Sequence, residues 1–139
     1  MSFRFALALA VCMAPALAVQ GQTRAEFIGA SRIGLDDPHD LKLSRNGKYL
    51  FVSDVGNDRI AILDPQTLAF VAAFGSNHLS GPHDIDFDRD GLAYVADTQN
   101  GRVAIYRLDS AKATLVGELS ERIRGPEGVL AHPNGRIYV

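Results

Sequence analysis

The stretch PHDIDFDRDGLAYVADTQNGRV, residues 82–103, decides the fold because the chain repeats it. The tetrapeptide GPHD at 81–84 echoes DPHD at 37–40, and GPEG follows at 125–128. The prolines of these three copies, residues 38, 82 and 126, are 44 residues apart. Self-similarity at such a period is typical of repeat architectures, in which each copy is one supersecondary unit.

Each copy contains short runs in which apolar and polar residues alternate, as they do in half-buried strands. Asn46-Gly47, Asp90-Gly91 and Asn134-Gly135 separate the first two runs of each copy, and such pairs favour tight hairpins. The predicted strands are 40–44, 49–53, 59–63 and 68–74 in the first copy, 84–88, 92–96, 102–108 and 114–119 in the second, and 128–132 and 137–139 in the third.

Four antiparallel strands every ~44 residues correspond to one blade of a β-propeller. The sequence therefore predicts an all-β fold, a partial propeller of about two and a half four-stranded blades within residues 19–139. Blade one covers 37–75, blade two 81–120, and blade three begins at 125–139. Residues 26–33 resemble a fourth strand without a blade of its own, which predicts an outer strand that closes the ring. The chain stops inside a predicted strand, so we expect truncation and further blades as partners.

Residues 1–18 have the features of a signal peptide. Arg4 precedes an apolar run, and Ala16-Leu17-Ala18 has the small-x-small pattern of a cleavage site. The run is shorter than the ~20 residues that a membrane-spanning helix needs. We therefore predict cleavage after Ala18, a secreted or periplasmic protein, and no membrane insertion after cleavage. The net charge of −2 and the lack of a basic cluster argue against a nucleic-acid partner.

Residues 82–103 resemble an NHL repeat, with a proline, an early isoleucine, Tyr-Val, and then Asp-x-x-Asn-x-Arg-Val. The likeness extends over residues 26–139 and implies a ring that typically has six blades. One position departs from the family pattern, which has glycine two residues after the proline. Gly128 fits, but Asp40 and Asp84 replace this glycine in the first two copies. The resemblance predicts the fold more than the activity, since propellers host many functions.

His39, His83 and Glu127 occupy the same position in successive copies. Because the first strand of each blade lines the channel of a propeller, we expect these side chains to converge at its mouth, with Asp40 and Asp84 as further contacts. Two imidazoles and a carboxylate would suit zinc, and calcium is the other candidate cofactor. An alternative is that all are polar loop residues that hydrogen-bond the neighbouring blade.

The resemblance extends to two enzyme groups, each only in part. Peptidyl-hydroxyglycine lyases, propellers with NHL-like repeats, bind zinc through histidines on different blades, which His39 and His83 would match. Gluconolactonase-like propellers hold a divalent cation with Glu, Asn and Asp, and only Glu127 would match that set.

Two further acidic motifs are predicted to be structural. The series Asp86, Asp88, Asp90 resembles the opening of a calcium loop, but the other copies share only its turn, which favours a hairpin. The triplet Asp54, Asn57, Arg59 recurs as Asp97, Asn100, Arg102. A catalytic site requires blades to differ, so this repetition indicates architecture.

The sequence thus leaves two functions open. The preferred prediction is an exported scaffold that binds a protein, a peptide or a small molecule through loops at one end of the ring. The alternative is a metal-dependent lyase or a lactone or ester hydrolase with its site at the mouth of the channel. Whether the protein is an enzyme is left undecided at this stage.

Overall fold

The computed structural model describes residues 26–27 and 29–139, which fold into two four-stranded antiparallel sheets and a hairpin. Blade one comprises β1 to β4 and blade two comprises β5 to β8, each with strands in chain order, and β9 pairs with β10 in the third hairpin. Blade one contains β1 (Pro38–Leu43), β2 (Leu50–Asp54), β3 (Arg59–Leu63) and β4 (Phe70–Phe74). Blade two contains β5 (Pro82–Phe87), β6 (Leu92–Asp97), β7 (Arg102–Asp109) and β8 (Lys112–Leu119). The third hairpin contains β9 (Leu130–Ala131) and β10 (Ile137–Tyr138). The predicted all-β partial propeller is confirmed.

The hairpin turns follow from the Asn-Gly and Asp-Gly pairs. Gly47 and Gly91 have φ angles of +69° and +84°, in the left-handed region that glycine adopts without steric cost. Ser44 N–H donates to Tyr49 O at 2.8 Å and closes the first turn. These turns set the register of the first two strands of each blade.

The inner strands of the three units lie side by side. β1 lies against β5, and β5 lies against β9, while the outer strands β4 and β8 touch much less. The sheets therefore splay outward from a common inner edge, as blades do around an axis. This arrangement places equivalent residues of successive copies next to one another, which is the condition for any site at the channel.

The core lies between the blades. Phe51 of β2 packs on Phe87 of β5 with ring centroids 4.9 Å apart, and Phe74 packs on Tyr106 with centroids 4.8 Å apart. The buried side chains of this cluster are Phe51, Ile60, Ile62, Leu79, Ile85, Phe87, Ala93, Val95, Ala104 and Tyr106. Burial of apolar surface between two sheets is thus the main force that joins blade one to blade two.

The Asp-x-x-Asn-x-Arg triplet ties each blade to the loop that precedes it. Asp54 is fully buried and accepts hydrogen bonds from Asp36 N–H at 2.7 Å and Arg59 Nε at 2.6 Å. Asn57 also donates to this carboxylate, and both Asn57 and Arg59 donate to Gly34 O. Blade two repeats these contacts. The structural role expected from the repetition is therefore observed.

The segment before β1 was expected to pair with the last blade of the ring, which this sequence does not contain. No strand forms within the described residues 26–27 and 29–33, because a strand needs a neighbouring ladder and this segment pairs with none here. Ile33 and Leu35 instead pack on Val52 and Leu63 of blade one. The ring-closing role of residues 26–33 stays a prediction. The signal peptide predicted at 1–18 lies outside the described residues, and within those described no helix is long and apolar enough to cross a membrane.

Candidate active site at the inner strands

The inner-strand cluster consists of His39, Asp40, His83 and Asp84, at the start of β1 and β5. The pairing of β1 with β2 is irregular between Pro38 and Leu41, and β5 repeats this irregularity at the equivalent place. Irregular pairing bends a strand and redirects its side chains, a feature common beside active sites. Among the five residues predicted to lie at the channel mouth, the structure places His39 against His83 and Asp40 against Asp84.

His83 is held by a chain of hydrogen bonds that links blade two to the third hairpin. Its Nδ1 lies 2.9 Å from Gly81 O and 2.8 Å from Thr98 Oγ1. Thr98 Oγ1 donates its only hydrogen to Pro126 O at 2.6 Å. Because the carbonyl of Gly81 accepts and cannot donate, Nδ1 must carry the hydrogen. In the neutral ring, the free lone pair is therefore on Nε2, where it can accept a proton or bind a ligand.

His39 stands beside His83 but lacks this support. The two rings meet edge to face, with centroids 4.2 Å apart and an interplanar angle of 61°. The residue of blade one that corresponds to Thr98 is Val55, which has no hydroxyl to orient a ring. His39 is exposed and His83 is half-buried. The equivalent histidines are therefore chemically different, which is the asymmetry that a catalytic site requires.

Asp40 and Asp84, which follow His39 and His83 in the sequence, form a hydrogen-bonded carboxyl pair. Burial raises the pKa of Asp84 above its ordinary value. The Val129 N–H, which donates to its Oδ2 at 2.7 Å, acts in the opposite direction, and the hydrogen-bonded Asp40 carboxyl raises the pKa further. A carboxyl whose pKa is raised retains its proton to higher pH, which favours a role as a general acid.

Asp86, two residues after Asp84 in β5, has a structural role. Its Oδ1 lies 2.8 Å from Lys42 Nζ of β1, and its Oδ2 accepts from Ala131 N–H at 2.8 Å. Burial by itself would raise the pKa of Asp86, but the Lys42 ammonium and the N–H groups of Ala131 and Phe87 hold it below its ordinary value. Asp86 therefore joins all three units at their inner edge.

We expect the Asp86 contacts to stabilise the fold at neutral pH and to fail in acid. A carboxyl whose pKa is depressed on folding contributes stability above the unfolded pKa, and this contribution is lost as the pH falls through the folded pKa. Asp86→Asn should cost about 2 kcal/mol of unfolding free energy at pH 7 and much less near pH 2. Urea unfolding at both pH values tests this. The exposed Asp109→Asn is the matched control, and an equal loss for Asp86→Asn at both pH values would contradict the expectation.

The predicted metal site is brought together only in part. His39 and His83 are adjacent, whereas Glu127 is exposed, and within the described residues no three His, Cys, Asp or Glu side chains are grouped to hold an ion. The site of zinc or calcium at His39, His83 and Glu127 therefore stays a prediction.

The acidic series Asp86, Asp88, Asp90 lies at a hairpin turn. Asp88 accepts from the N–H groups of Asp90 and Leu92, as such a turn requires.

Sequence reasoning missed Thr98 and Lys42. Thr98 follows the repeated aspartate, at a position where blade one has valine, so comparing the copies position by position would have marked it. Lys42 and Asp86 are equivalent residues of opposite charge on neighbouring inner strands. Adjacent blades that carry unlike residues at one position are therefore the signal to look for.

Comparisons with known proteins agree with the propeller architecture. A "putative 6-phosphogluconolactonase" from Bacteroides uniformis matches with a TM-score of 0.61 and 23% identity, over 73% of this chain and 32% of that one. The periplasmic gluconolactonase of Pseudomonas aeruginosa matches with a TM-score of 0.59 and 18% identity, over 73% of this chain and 28% of its own. At these identities the likeness establishes the fold, and the chain spans about a third of either structure.

No curated protein matches the sequence. The family model that matches residues 15–133 is described as "Lactonase, 7-bladed beta-propeller", whereas the NHL resemblance implied six blades. The propeller part of the sequence prediction is confirmed, and its NHL part stays a prediction. Since the match covers most of the chain, the protein belongs to the lactonase family of seven-bladed β-propellers.

Proposed function

We propose that this chain is part of an enzyme that hydrolyses sugar lactones at the inner-strand cluster. The observation that carries the proposal is the fixed orientation of His83, whose Nδ1 is bound by Gly81 O and Thr98 Oγ1. The next residue, Asp84, forms a carboxyl pair with Asp40. The family match supports lactone chemistry, and the two similar structures are named for gluconolactone and its 6-phosphate. The proposal favours the hydrolase over the binding scaffold that sequence reasoning preferred.

The proposed reaction adds water across the acyl C–O bond of the lactone ring. His83 Nε2 accepts a proton from water as the water oxygen bonds to the carbonyl carbon. The ring oxygen leaves as an alcohol and takes a proton from the Asp40–Asp84 pair. The product is an open-chain hydroxy acid, and the proton on His83 returns to the carboxyl pair through solvent.

We expect the purified chain to hydrolyse δ-gluconolactone faster than buffer does, as measured by proton release in weakly buffered solution. His83→Gln and Asp84→Asn should each lower the protein-dependent rate about 100-fold, the usual contribution of a general acid or base. His132→Gln, at the exposed turn of the third hairpin, is the matched control and should leave the rate unchanged.

Two outcomes count against the hydrolase. A wild-type rate for His83→Gln would rule out His83 as the general base. A wild-type rate equal to that of buffer alone would rule out the proposed reaction. Amide shifts at His83 and Thr98 on addition of gluconate, without acceleration of hydrolysis, would instead support a binding scaffold for small molecules.

We also propose an extracytoplasmic location. The signal-like pattern of residues 1–18 supports it, and one of the similar structures is described as periplasmic. The signal prediction is tested by N-terminal sequencing of the protein from an expressing cell, with cleavage expected after Ala18.

A further inference from the structure

The turn that leads into β3 contains an aspartate at a position where the next blade has glycine. Asp58 and Gly101 are equivalent in the repeat, and both have a left-handed backbone, with φ angles of +51° and +63°. Each donates its N–H to the carbonyl three residues earlier, so the two turns have the same shape. A side chain makes this conformation costly, and glycine avoids that cost. The aspartate of blade one is therefore expected to make a contact that offsets the cost.

The Asp58 carboxylate makes such a contact across the interface between the blades. Its Oδ1 accepts a hydrogen bond from Gly81 N–H at 2.7 Å, and Asp58 is partly buried. Gly81 lies between β4 and β5, in the loop that leads into blade two. Hydrogen bonds to an ionised carboxylate are among the stronger ones in proteins. Asp58 therefore holds the loop before β5, whereas Gly101 has no side chain with which to hold the equivalent Gly125.

Gly81 is one of the residues that orient His83. Its carbonyl accepts from His83 Nδ1 at 2.9 Å, and its own backbone is left-handed, with a φ angle of +58°. A Cβ at this position would lie 2.7 Å from the Gln99 side chain, so the loop favours glycine here. Glycine has more conformational freedom to lose on folding than any other residue. The direction of the Gly81 carbonyl therefore depends on the groups that hold the Gly81 backbone.

Two carboxylates hold the loop before β5. Asp97 of blade two accepts from Ser80 N–H, and Asp58 of blade one accepts from Gly81 N–H, each at 2.7 Å. The first bond has a counterpart in blade one, whereas the second depends on a carboxylate that blade two lacks at the equivalent position. The repeat thus accounts for the first bond, and the second requires a reason of its own.

We propose that Asp58 is a positioning residue for the lactone hydrolysis proposed above, and the inference rests on that proposed function. Its carboxylate fixes Gly81, and the Gly81 carbonyl keeps the hydrogen of His83 on Nδ1. Nε2 is then left free to accept the proton of water. Asp58 belongs to the same blade as His39 and Asp40, so its bond also ties His83 to the other half of the candidate active site.

The variants Asp58→Gly and Asp58→Asn test the proposal in the purified chain. Glycine adopts the left-handed backbone without cost but removes the acceptor, so kcat for δ-gluconolactone should fall about tenfold while KM changes less than about twofold. Asparagine retains an acceptor oxygen and should keep kcat within about twofold of the wild type. Ser110→Gly, which replaces another left-handed residue at the exposed turn between β7 and β8, is the matched control and should leave both constants unchanged. A wild-type kcat for Asp58→Gly overturns the proposal.

The tautomer of His83 provides a measurement that does not depend on catalysis. In alkaline solution, where the ring is neutral, the imidazole nitrogen chemical shifts should place the hydrogen on Nδ1 in the wild type and in Asp58→Asn. Asp58→Gly should show a mixture of both tautomers. An unchanged tautomer in Asp58→Gly would overturn the positioning role even if kcat fell. A wild type without hydrolysis would overturn the proposed function, and the spectra would still decide whether Asp58 orients His83.

Discussion

Asp97→Asn is expected to lower the free energy of unfolding by about 3–5 kcal/mol, because it removes a buried charge from partners that remain in place. Asp97 is fully buried and accepts from Ser80 N–H at 2.7 Å, Asn100 Nδ2 at 2.9 Å and Arg102 Nε at 2.7 Å. An amide in its place would turn an NH₂ group toward one or more of these donors. Asp97 also orders the loop before blade two, since Asn100 and Arg102 both donate to His78 O.

Urea unfolding followed by circular dichroism measures this loss. Asp109→Asn is a suitable control, because Asp109 is exposed at the end of β7 and should change stability by less than about 0.5 kcal/mol. If Asp97→Asn lowers the free energy of unfolding by less than about 1 kcal/mol, the hydrogen bonds to the Asp97 carboxylate contribute little to stability and the expectation is wrong.

Phe51→Ala is expected to cost about 3–5 kcal/mol, since it opens a cavity at the centre of the interface between the blades. Phe51 is 1% exposed, and its ring lies 4.9 Å from that of Phe87 and 6.4 Å from that of Tyr49. The sheets can close such a cavity only by shifting relative to one another, and the contact between the inner strands β1 and β5 opposes that shift.

Phe70→Ala makes the same substitution on the outer strand β4 and is the matched control. Measured by urea unfolding, it should cost less than about 1 kcal/mol, because half of this side chain is already in water. Equal losses for Phe51→Ala and Phe70→Ala would contradict the view that the blades are held together by the buried cluster.

Local chemistry explains why most strands were predictable. The alternation in Ile85–Phe87 and the Asp90-Gly91 turn act between near neighbours in the chain, so the first hairpin of blade two follows from adjacent residues. The predicted and observed limits of β3 coincide, and those of the other long strands differ by a few residues at their ends. The outer strand at residues 26–33 stays a prediction, because a strand at an edge depends on a partner that the local sequence does not contain.

The sequence by itself determined the repeat, the strands and the turns. It also determined that His39 lies next to His83, because a regular period places equivalent residues of successive blades side by side. Only the tertiary structure decided which of those residues differ in chemistry. The Thr98 hydroxyl contacts His83 and donates to Pro126 O, and Asp84 accepts from Val129 N–H. Pro126 and Val129 both belong to the next unit. The tautomer of an imidazole and the pKa of a carboxyl depend on groups within a few ångströms, and in a propeller these groups come from another blade. The periodic pattern shows which positions meet, and the packing of one blade on the next decides what each does.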